Sequence, residues 1–378
     1  MNRKEALEHF HKEIGIEAVE QQKQVFYEDF KKNKNQFCND IRAGLEQMIE
    51  ELVSHSPEKQ VAVIRFAYIQ AAVLGGRYTW QLIAQDKNEY LDKDSIQMEL
   101  DLSVYFQSIE QMEDTLVKES RKYLENMYEG DVLKYKLQAF QNCLPVLYLA
   151  CSQALVDFRE TEAYGELCKE RVFRIVLCGY MDQEQIVFLD TEEDLEKAKE
   201  KLYLQGDAAQ LKEVDFIYRN YSGIVLKEEE KRIDCKKLLF TCFSKSRIRY
   251  HQFKFCNMIG ASFRNSRIDD TGFVGNPMQQ VDFTGATLCN CDMHASMFYG
   301  GEFVEGQITP GIYEASFRNA KLENVYFSFC DLRNCDFTGA QMIDVHMEDA
   351  KLAGAKINKE YREILALTKQ QEEEVDWV

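Results

Sequence analysis

Ala261-Ser-Phe-Arg-Asn-Ser-Arg-Ile-Asp-Asp-Thr-Gly-Phe-Val-Gly275 repeats one pattern every five residues: a large apolar side chain at Phe263, Ile268 and Phe273, and a small one two places earlier. Upstream the same beat takes in Leu238, Phe243, Ile248, Phe253 and Met258. Downstream it runs through Met278, Phe283, Leu288, Met293, Phe298, Phe303 and Ile308. After a short interruption it resumes at Phe317 and continues through Leu322, Phe327, Leu332, Phe337, Met342, Met347, Leu352 and Ile357. Five is neither the helical period of about 3.6 nor the strand period of about 2. A short fixed period means a solenoid, whose units bury their apolar faces only by stacking on one another.

The units Ala261-Ser-Phe-Arg-Asn, Ala286-Thr-Leu-Cys-Asn, Ala320-Lys-Leu-Glu-Asn and Cys335-Asp-Phe-Thr-Gly carry a resemblance to the pentapeptide-repeat family, whose units read roughly Ala-(Asp/Asn)-Leu-x-x. The resemblance covers residues 236–358, about a third of the chain. It implies a right-handed quadrilateral β-helix with four pentapeptides per coil and with the central and small residues inward. The twenty-four central positions named above then make about six coils.

In such a coil, residues twenty apart share a column. One expected column is Phe243, Phe263, Phe283, Phe303, Phe327 and Met347. A second is Ile248, Ile268, Leu288, Ile308, Leu332 and Leu352, and a third is Phe253, Phe273, Met293, Phe317, Phe337 and Ile357. Aromatic on aromatic and aliphatic on aliphatic suits a close-packed interior. The columns hold their phase only if Gln307 to Ala315 contains a four-residue loop, for which Thr309-Pro310-Gly311 supplies turn chemistry. At ~4.8 Å per coil, six coils span roughly 29 Å.

A chain of 378 residues predicts two or three domains. The opening residues, Met1-Asn2-Arg3-Lys4-Glu5, lead into no apolar run, so no secretory signal is expected. The longest apolar stretch, Cys143 to Val156, reads as too short and interrupted to span a bilayer. The 12 cysteines are dispersed, which favours buried free thiols in a cytoplasmic protein over disulfides. Cys289-x-Cys291 and the pair Cys330 and Cys335 are the close spacings, and neither is read as a metal site. Cys291 and Cys335 are expected in one column, two coils apart. His251 falls on a small inward position and reads as a satisfied or poorly packed core residue rather than a ligand. No cofactor is expected.

The formal charge of −18 is uneven. Residues 236–358 hold 13 basic and 13 acidic side chains, and the tail from Lys359 holds 3 and 6. Of the total 46 and 64, this leaves 30 basic and 45 acidic in residues 1–235, a net of −15. Within the solenoid, residues 236–268 carry eight basic side chains and no acid, among them Arg247, Arg249, Arg264 and Arg267. Two readings stay open: the basic end docks on the acidic N-terminal domain, or it is an anion site. Acids gather later, at Asp331, Asp336, Asp344, Glu348 and Asp349.

The expected fold class is α+β multidomain. Residues 1–165 read as a bundle of five or six helices, with Ser56-Pro57-Glu58 capping one that runs through Ile64, Tyr68 and Ala71. Residues 166–235 read as a small connector, α/β or all-helical, that caps the first coil. Its strands are expected at Arg171–Cys178 and Gln185–Leu189, with short ones at Asp215–Tyr218 and Gly223–Leu226, and Thr191-Glu-Glu-Asp194 reads as a capping box. Residues 359–378 read as a capping helix, through Tyr361, Ile364, Leu365 and Leu367, that lids the last coil or pairs with a second copy.

No P-loop, nucleophile elbow or His-Glu-x-x-His is present, and Gly75-Gly76-Arg77 is a lone glycine pair. The reading is a non-enzymatic scaffold or adaptor that binds another protein. The family resemblance adds an alternative, a DNA mimic acting on DNA gyrase or another type II topoisomerase. For that, only the acids from Asp331 onward supply a surface, because the rod is neutral overall. A third reading, from domain layout, is an immunity or adaptor factor for a secreted peptide or toxin.

Overall fold

The structure, a computed structural model, describes residues 2–191, 194–203, 216–227, 231–301, 303–304, 307–309 and 311–378. It divides into two units, Met1–Leu189 and Asp190–Val378, whereas the sequence suggests boundaries near 165 and 235.

The N-terminal unit is built on a helix of 40 residues, Ile16–His55. Val19, Phe26, Phe30, Phe37, Ile41, Leu45, Met48 and Leu52 are buried along it at spacings of three, four and seven, the mark of an amphipathic face. The helix stops where the Ser56 amide bonds the Leu52 carbonyl at 2.8 Å and Pro57 follows. Gly15, just ahead of it, is required: a Cβ there would sit 2.3 Å from the Tyr135 ring.

Beyond it lies a five-stranded sheet rather than a helical bundle. The strands are β1 (Val61–Tyr68), β2 (Thr79–Gln85), β3 (Ile96–Asp101), β4 (Lys169–Gly179) and β5 (Glu184–Thr191), in the order β3-β2-β1-β4-β5. β1 runs antiparallel to β2 and parallel to β4, with Phe66 opposite both Leu82 and Leu177. One face packs on helices: Phe37 meets Trp80 at 6.2 Å between ring centroids, Tyr78 stacks on Phe106 at 4.6 Å, and Tyr68 meets Phe140 at 5.0 Å. On the other face Val63, Ala67, Ile83, Val176 and Cys178 form a second small cluster.

The helix expected from Ser56-Pro57-Glu58 is therefore strand β1. Seven of its eight residues are buried, so the apolar run is continuous and lacks the alternation that marks a half-buried strand. A short continuous apolar run does not distinguish a strand from a buried helix by periodicity. The strands expected at Arg171–Cys178 and Gln185–Leu189 exist, but as β4 and β5 of this sheet, not as a connector. The pairing of β4 with β1 spans more than 100 residues, which no local window reads. Within Glu129–Glu160 the chain has a helix that is, by length and composition alone, long and apolar enough to cross a membrane. This corrects the shorter span taken from Cys143 to Val156. Here its helix, Leu133–Ala154, packs on Ile16–His55.

The second unit is a parallel β-helix solenoid. Arg247–Arg249 pairs with Arg267–Asp269, which pairs in turn with Thr287–Cys289, all at twenty-residue offsets. The next step jumps thirty-four residues, from Leu288 to Leu322, and the twenty-residue step returns from Leu322 to Met342. The true aromatic column is Phe243, Phe263, Phe283, Phe317 and Phe337, with successive centroids 5.1, 4.9, 5.1 and 4.8 Å apart. The interruption thus holds fourteen extra residues instead of four. Phe303 and Ile308 leave the columns: Phe303–Val304 pairs antiparallel with Gln307–Ile308 in a hairpin. Gly301 before it and Gly311 after it, with φ of 75° and 111°, allow the excursion, and the Gly301 amide closes it on the Thr309 carbonyl at 3.0 Å. Both Phe303 and Ile308 kept the five-residue beat by coincidence, so periodicity alone counted them in.

The shifted phase moves other residues too. Cys291 lies opposite Val325, and Asp336 bridges Ser316, so Cys291 and Cys335 do not share a column. The ladder also starts before residue 236. Val225–Leu226 pairs with Arg247–Ile248, and Tyr221 packs on Phe243 at 5.5 Å. Asp215 lies outside the described residues, and Phe216–Tyr218 is a turn instead of a strand. The helix Leu195–Tyr203 is capped by Asp194, which accepts from the Glu196 amide at 3.0 Å. Glu192 and Glu193, the middle of the expected capping box at Thr191, lie outside the described residues.

At the far end the expected capping helix is replaced by a 3-10 turn, Lys359–Tyr361, a helix at Lys369–Glu374 and a last strand, Asp376–Trp377, paired parallel to Lys356–Ile357. Tyr361, Leu365 and Val375 close the rod's own core, while Ile364 is 67% exposed.

Candidate interaction faces of the rod

Inward positions are filled. Phe243, Phe263, Phe283, Phe317, Phe337, Ile268 and Leu288 are fully buried, and Ile248 nearly so. The small inward residues two places earlier do more than make room. Ser266 Oγ donates to the Phe243 carbonyl at 2.6 Å, Ser296 Oγ to Phe273 at 2.5 Å, and Asn276 Nδ2 to Phe253 at 3.0 Å. Each ties one coil to the coil before it with a buried hydrogen bond. Cysteines serve likewise: Cys330 Sγ lies 2.9 Å from the Met293 carbonyl and Cys291 Sγ 3.4 Å from that of Ile268. Burial pushes the thiols of Cys256, Cys291 and Cys330 up to about 12. His251 is fully buried, with Nε2 at 2.9 Å from the Tyr203 hydroxyl and Nδ1 at 2.5 Å from the Arg249 carbonyl.

The corners turn through left-handed backbone, which asparagine tolerates better than most residues. Asn290 and Asn324 have φ of 54° and 52°, and their side chains form a ladder: Asn324 Nδ2 to Asn290 Oδ1, then Asn290 Nδ2 to Asp270 Oδ1, each at 2.9 Å.

Outward residues carry the charge. The four arginines singled out in the sequence lie on neighbouring coils, and three of them find carboxylates on the rod itself. Arg249 meets Asp270 at 3.2 Å, Arg264 meets Asp282 at 3.4 Å, and Arg267 meets Asp269 at 2.8 Å. Like-charge crowding along residues 236–268 is therefore relieved by Asp270 and Asp282, one coil on, where a linear count of charge does not look, and by Asp269 on Arg267's own strand. Arg247 has no such pair among the described residues. With Lys227, Lys245, Arg249, Arg267 and Asp269 it lines an open groove of about 750 Å³. Asp331 and Asp336 are also matched: Asp331 binds Arg333 at 2.7 Å and faces Lys351 at 3.9 Å, and Asp336 faces Arg318 at 3.6 Å. Aromatic and apolar side chains stand exposed at Phe255, Tyr326, Phe329 and Ile343.

Residues 313–349 match the model of the family described as pentapeptide repeats, in 8 copies. The solenoid is built of pentapeptide repeats. The match begins where the hairpin excursion ends, and the same ladder continues upstream of it to Tyr221. It does not extend into the N-terminal unit. No curated protein matches the chain. Among solved structures, the chain is similar to a pentapeptide repeat protein (Rfr23) from the cyanobacterium Cyanothece 51142, at 12% identity over 37% of this chain and 88% of that one, TM-score 0.15. Full-length QnrB1, a plasmid-mediated fluoroquinolone resistance protein, is similar at 12% identity over 43% of this chain and 88% of its own, TM-score 0.18. HetL, a pentapeptide repeat protein involved in heterocyst differentiation regulation from Nostoc sp. strain PCC 7120, is similar at 17% identity over 36% and 76%, TM-score 0.12.

Two charged clusters in the N-terminal unit escaped sequence reading. Arg65, fully buried in β1, reaches Glu184 at 2.6 Å and Glu89 at 2.6 Å, bonds Gln85, and lies 4.3 Å from the Tyr90 ring. Burial works against its charge, but Glu184 and then Glu89 outweigh that and hold the guanidinium above its ordinary range. Lys136, also buried, is held by Glu113 at 2.5 Å and Glu110 at 2.8 Å, and Glu110 accepts the Tyr78 hydroxyl at 2.6 Å. Burial and the Glu110 hydrogen bond drive the Tyr78 phenol well above its usual range. The legible signal for Arg65 was a lone charge inside an apolar run, which must find a partner when buried. Gly76, of the glycine pair, has φ of 74° and stands near Glu110. The pair is a turn beside this cluster.

Proposed function

We propose that the chain is a non-enzymatic interaction scaffold, in which a four-sided pentapeptide-repeat rod of about six coils presents fixed arrays of side chains to another protein. Four sides follow from a five-residue unit and a twenty-residue offset between paired strands. The observation that carries the reading is the filled interior: the central positions from Phe243 to Phe337 are sealed, so recognition falls to the outer columns. Those columns repeat at ~4.8 Å, a spacing set by the backbone ladder. The rigid exposed side chains Tyr326, Phe329 and Ile343 suit the anchor of an interface. The titratable clusters of the N-terminal unit are locked in ion pairs, which supports structural roles for them. The 12 cysteines, none of them in a disulfide, suit a reducing cytoplasm.

A DNA mimic acting on gyrase needs carboxylates free to imitate phosphate, whereas Asp331 and Asp336 are engaged by Arg333 and Arg318. The reading of an immunity or adaptor factor has no feature of its own to favour it.

The test is affinity capture from the native host with the full chain and with a Tyr326→Ser, Ile343→Ser variant, followed by mass spectrometry, beside a gyrase supercoiling assay. A protein retained by the wild type and lost by the variant supports the scaffold, and no gyrase effect at micromolar protein is expected. Inhibition of supercoiling abolished by neutralising Asp331 and Asp336 would replace it with the DNA-mimic reading.

A further inference from the structure

Along the rod, cations meet carboxylates with regularity: Arg232 with Asp234, Arg264 with Asp282, Arg318 with Asp336 and Arg333 with Asp331. The groove between the 227, 247 and 267 strands breaks this rule. Among the described residues five cations line it, Lys227, Lys245, Arg247, Arg249 and Arg267, against one lining carboxylate, Asp269, and of the five Arg249 and Arg267 are paired, with Asp270 and Asp269. All five are exposed, and Asp269 is already bound by Arg267 at 2.8 Å. Lys227, Lys245 and Arg247 have no carboxylate partner among the described residues. The ladder places Arg247 directly opposite Arg267, one strand spacing away. Two guanidinium groups at ~4.8 Å between backbones repel unless an anion sits between them.

The walls are rigid. Arg247, Arg249 and Arg267 project from paired strands whose intervening residues, Ile248 and Ile268, are buried in the core. Arginine forks on a fixed backbone are preorganised for bidentate binding of phosphate oxygens, and lysines add point charges. At about 750 Å³ the groove matches a small-molecule site in size, and it extends over about two coils, far shorter than a nucleic-acid track. Glu228, Glu229 and Glu230 follow Lys227 in sequence and lie outside the described residues, so the strand residues define the site.

We propose that this groove binds a compact polyphosphate, two or three linked phosphates either free or as the tail of a nucleotide, with Arg247 and Arg267 clamping adjacent phosphates and Lys245 and Lys227 neutralising the remainder. The inference does not depend on the scaffold reading, since it concerns a small ligand at the first coils, several strands along the same parallel sheet from Tyr326 and Ile343.

The test is calorimetric titration of the full chain with inorganic triphosphate, with a nucleoside triphosphate, and with a 20-base-pair DNA duplex, at low and at raised salt. Saturable binding at one site, weakened more than tenfold in Arg247→Ser with Lys245→Ser and unchanged in Arg318→Ser, is expected. Arg247→Lys should retain part of the affinity, and thermal melts of each variant check folding. Equal affinity for the two triphosphates assigns the site to the phosphates alone; tighter binding of the nucleotide assigns it to a nucleotide tail. Absence of saturable triphosphate binding to wild type, equal binding by the double variant, or binding of duplex DNA in preference to triphosphate would overturn the proposal.

Discussion

Phe283 stacks on Phe317 at 5.1 Å with the rings within 11° of parallel, although thirty-four residues separate them where every other step of that column is twenty. The rod therefore closes over the hairpin excursion as though it were absent, and both neighbours of the pair keep the same near-parallel stacking.

That closure makes the excursion removable. Deleting residues 299–312 joins Phe298 to Tyr313 and brings Phe317 five places after Phe298, restoring the period. The shortened chain is expected to melt cooperatively within a few degrees of the parent. Deleting twelve residues instead shifts every later side chain out of phase and should abolish the cooperative transition. Equal melting of the two deletions would refute the register.

Asn276 is fully buried, accepts from the Cys256 amide at 2.8 Å and donates to the Phe253 carbonyl at 3.0 Å. Asn276→Ala takes the partner from two buried backbone groups, and should cost about 1–3 kcal/mol in urea unfolding. Asn290→Gly, which keeps the left-handed corner at φ 54° free of strain, should stay within about 0.5 kcal/mol. A smaller loss at Asn276 than at Asn290 would count against the inter-coil hydrogen bonds as a source of stability.

Lys59 and Asp92 form a near-buried ion pair at 2.6 Å, with side chains 10% and 4% exposed. Burial alone would raise the Asp92 carboxyl, but the Lys59 hydrogen bond and the amides of Asp86 and Asp94 bring it below the ordinary 3.8. A carboxylate whose folded pKa lies below its unfolded value, about 3.9, stabilises the fold above that value and loses the contribution as pH falls through the folded pKa. The stability gap between wild type and Asp92→Asn should be full at pH 7 and shrink below about pH 4. A gap of equal size at pH 7 and pH 3 would show that the pair's contribution is not ionic.

Thiol reactivity should follow burial. Cys235 is exposed, whereas Cys178, Cys256, Cys291 and Cys330 are buried and their thiols are pushed up to about 12, mainly by desolvation. Only the thiolate is nucleophilic, so iodoacetamide at pH 8 is expected to modify Cys235 in the native protein and these four only after unfolding. Fast native modification of Cys291 or Cys330 would mean that the coils open locally.

The five-residue period, the inward Phe and Leu positions from Phe243 to Phe298 and from Phe317 to Ile357, and the buried role of His251 are written in the linear chain. A repeat is a local property, and each unit carries its own central and small residue. Three matters lay beyond the chain read in order. The phase of the columns across the interruption turned on whether Phe303 stacks or leaves, and spacing is blind to that, because a hairpin can keep a five-residue beat by chance. Strand β1 and helix were equally compatible with Val61–Tyr68 until β4, more than 100 residues on, paired with it and buried both faces. The pairing of Arg249 and Arg264 with Asp270 and Asp282, and the lack of a carboxylate on Arg247 among the described residues, came only from stacking. Charge in a sequence is counted along one dimension, whereas Coulomb's law acts on distances that the fold sets.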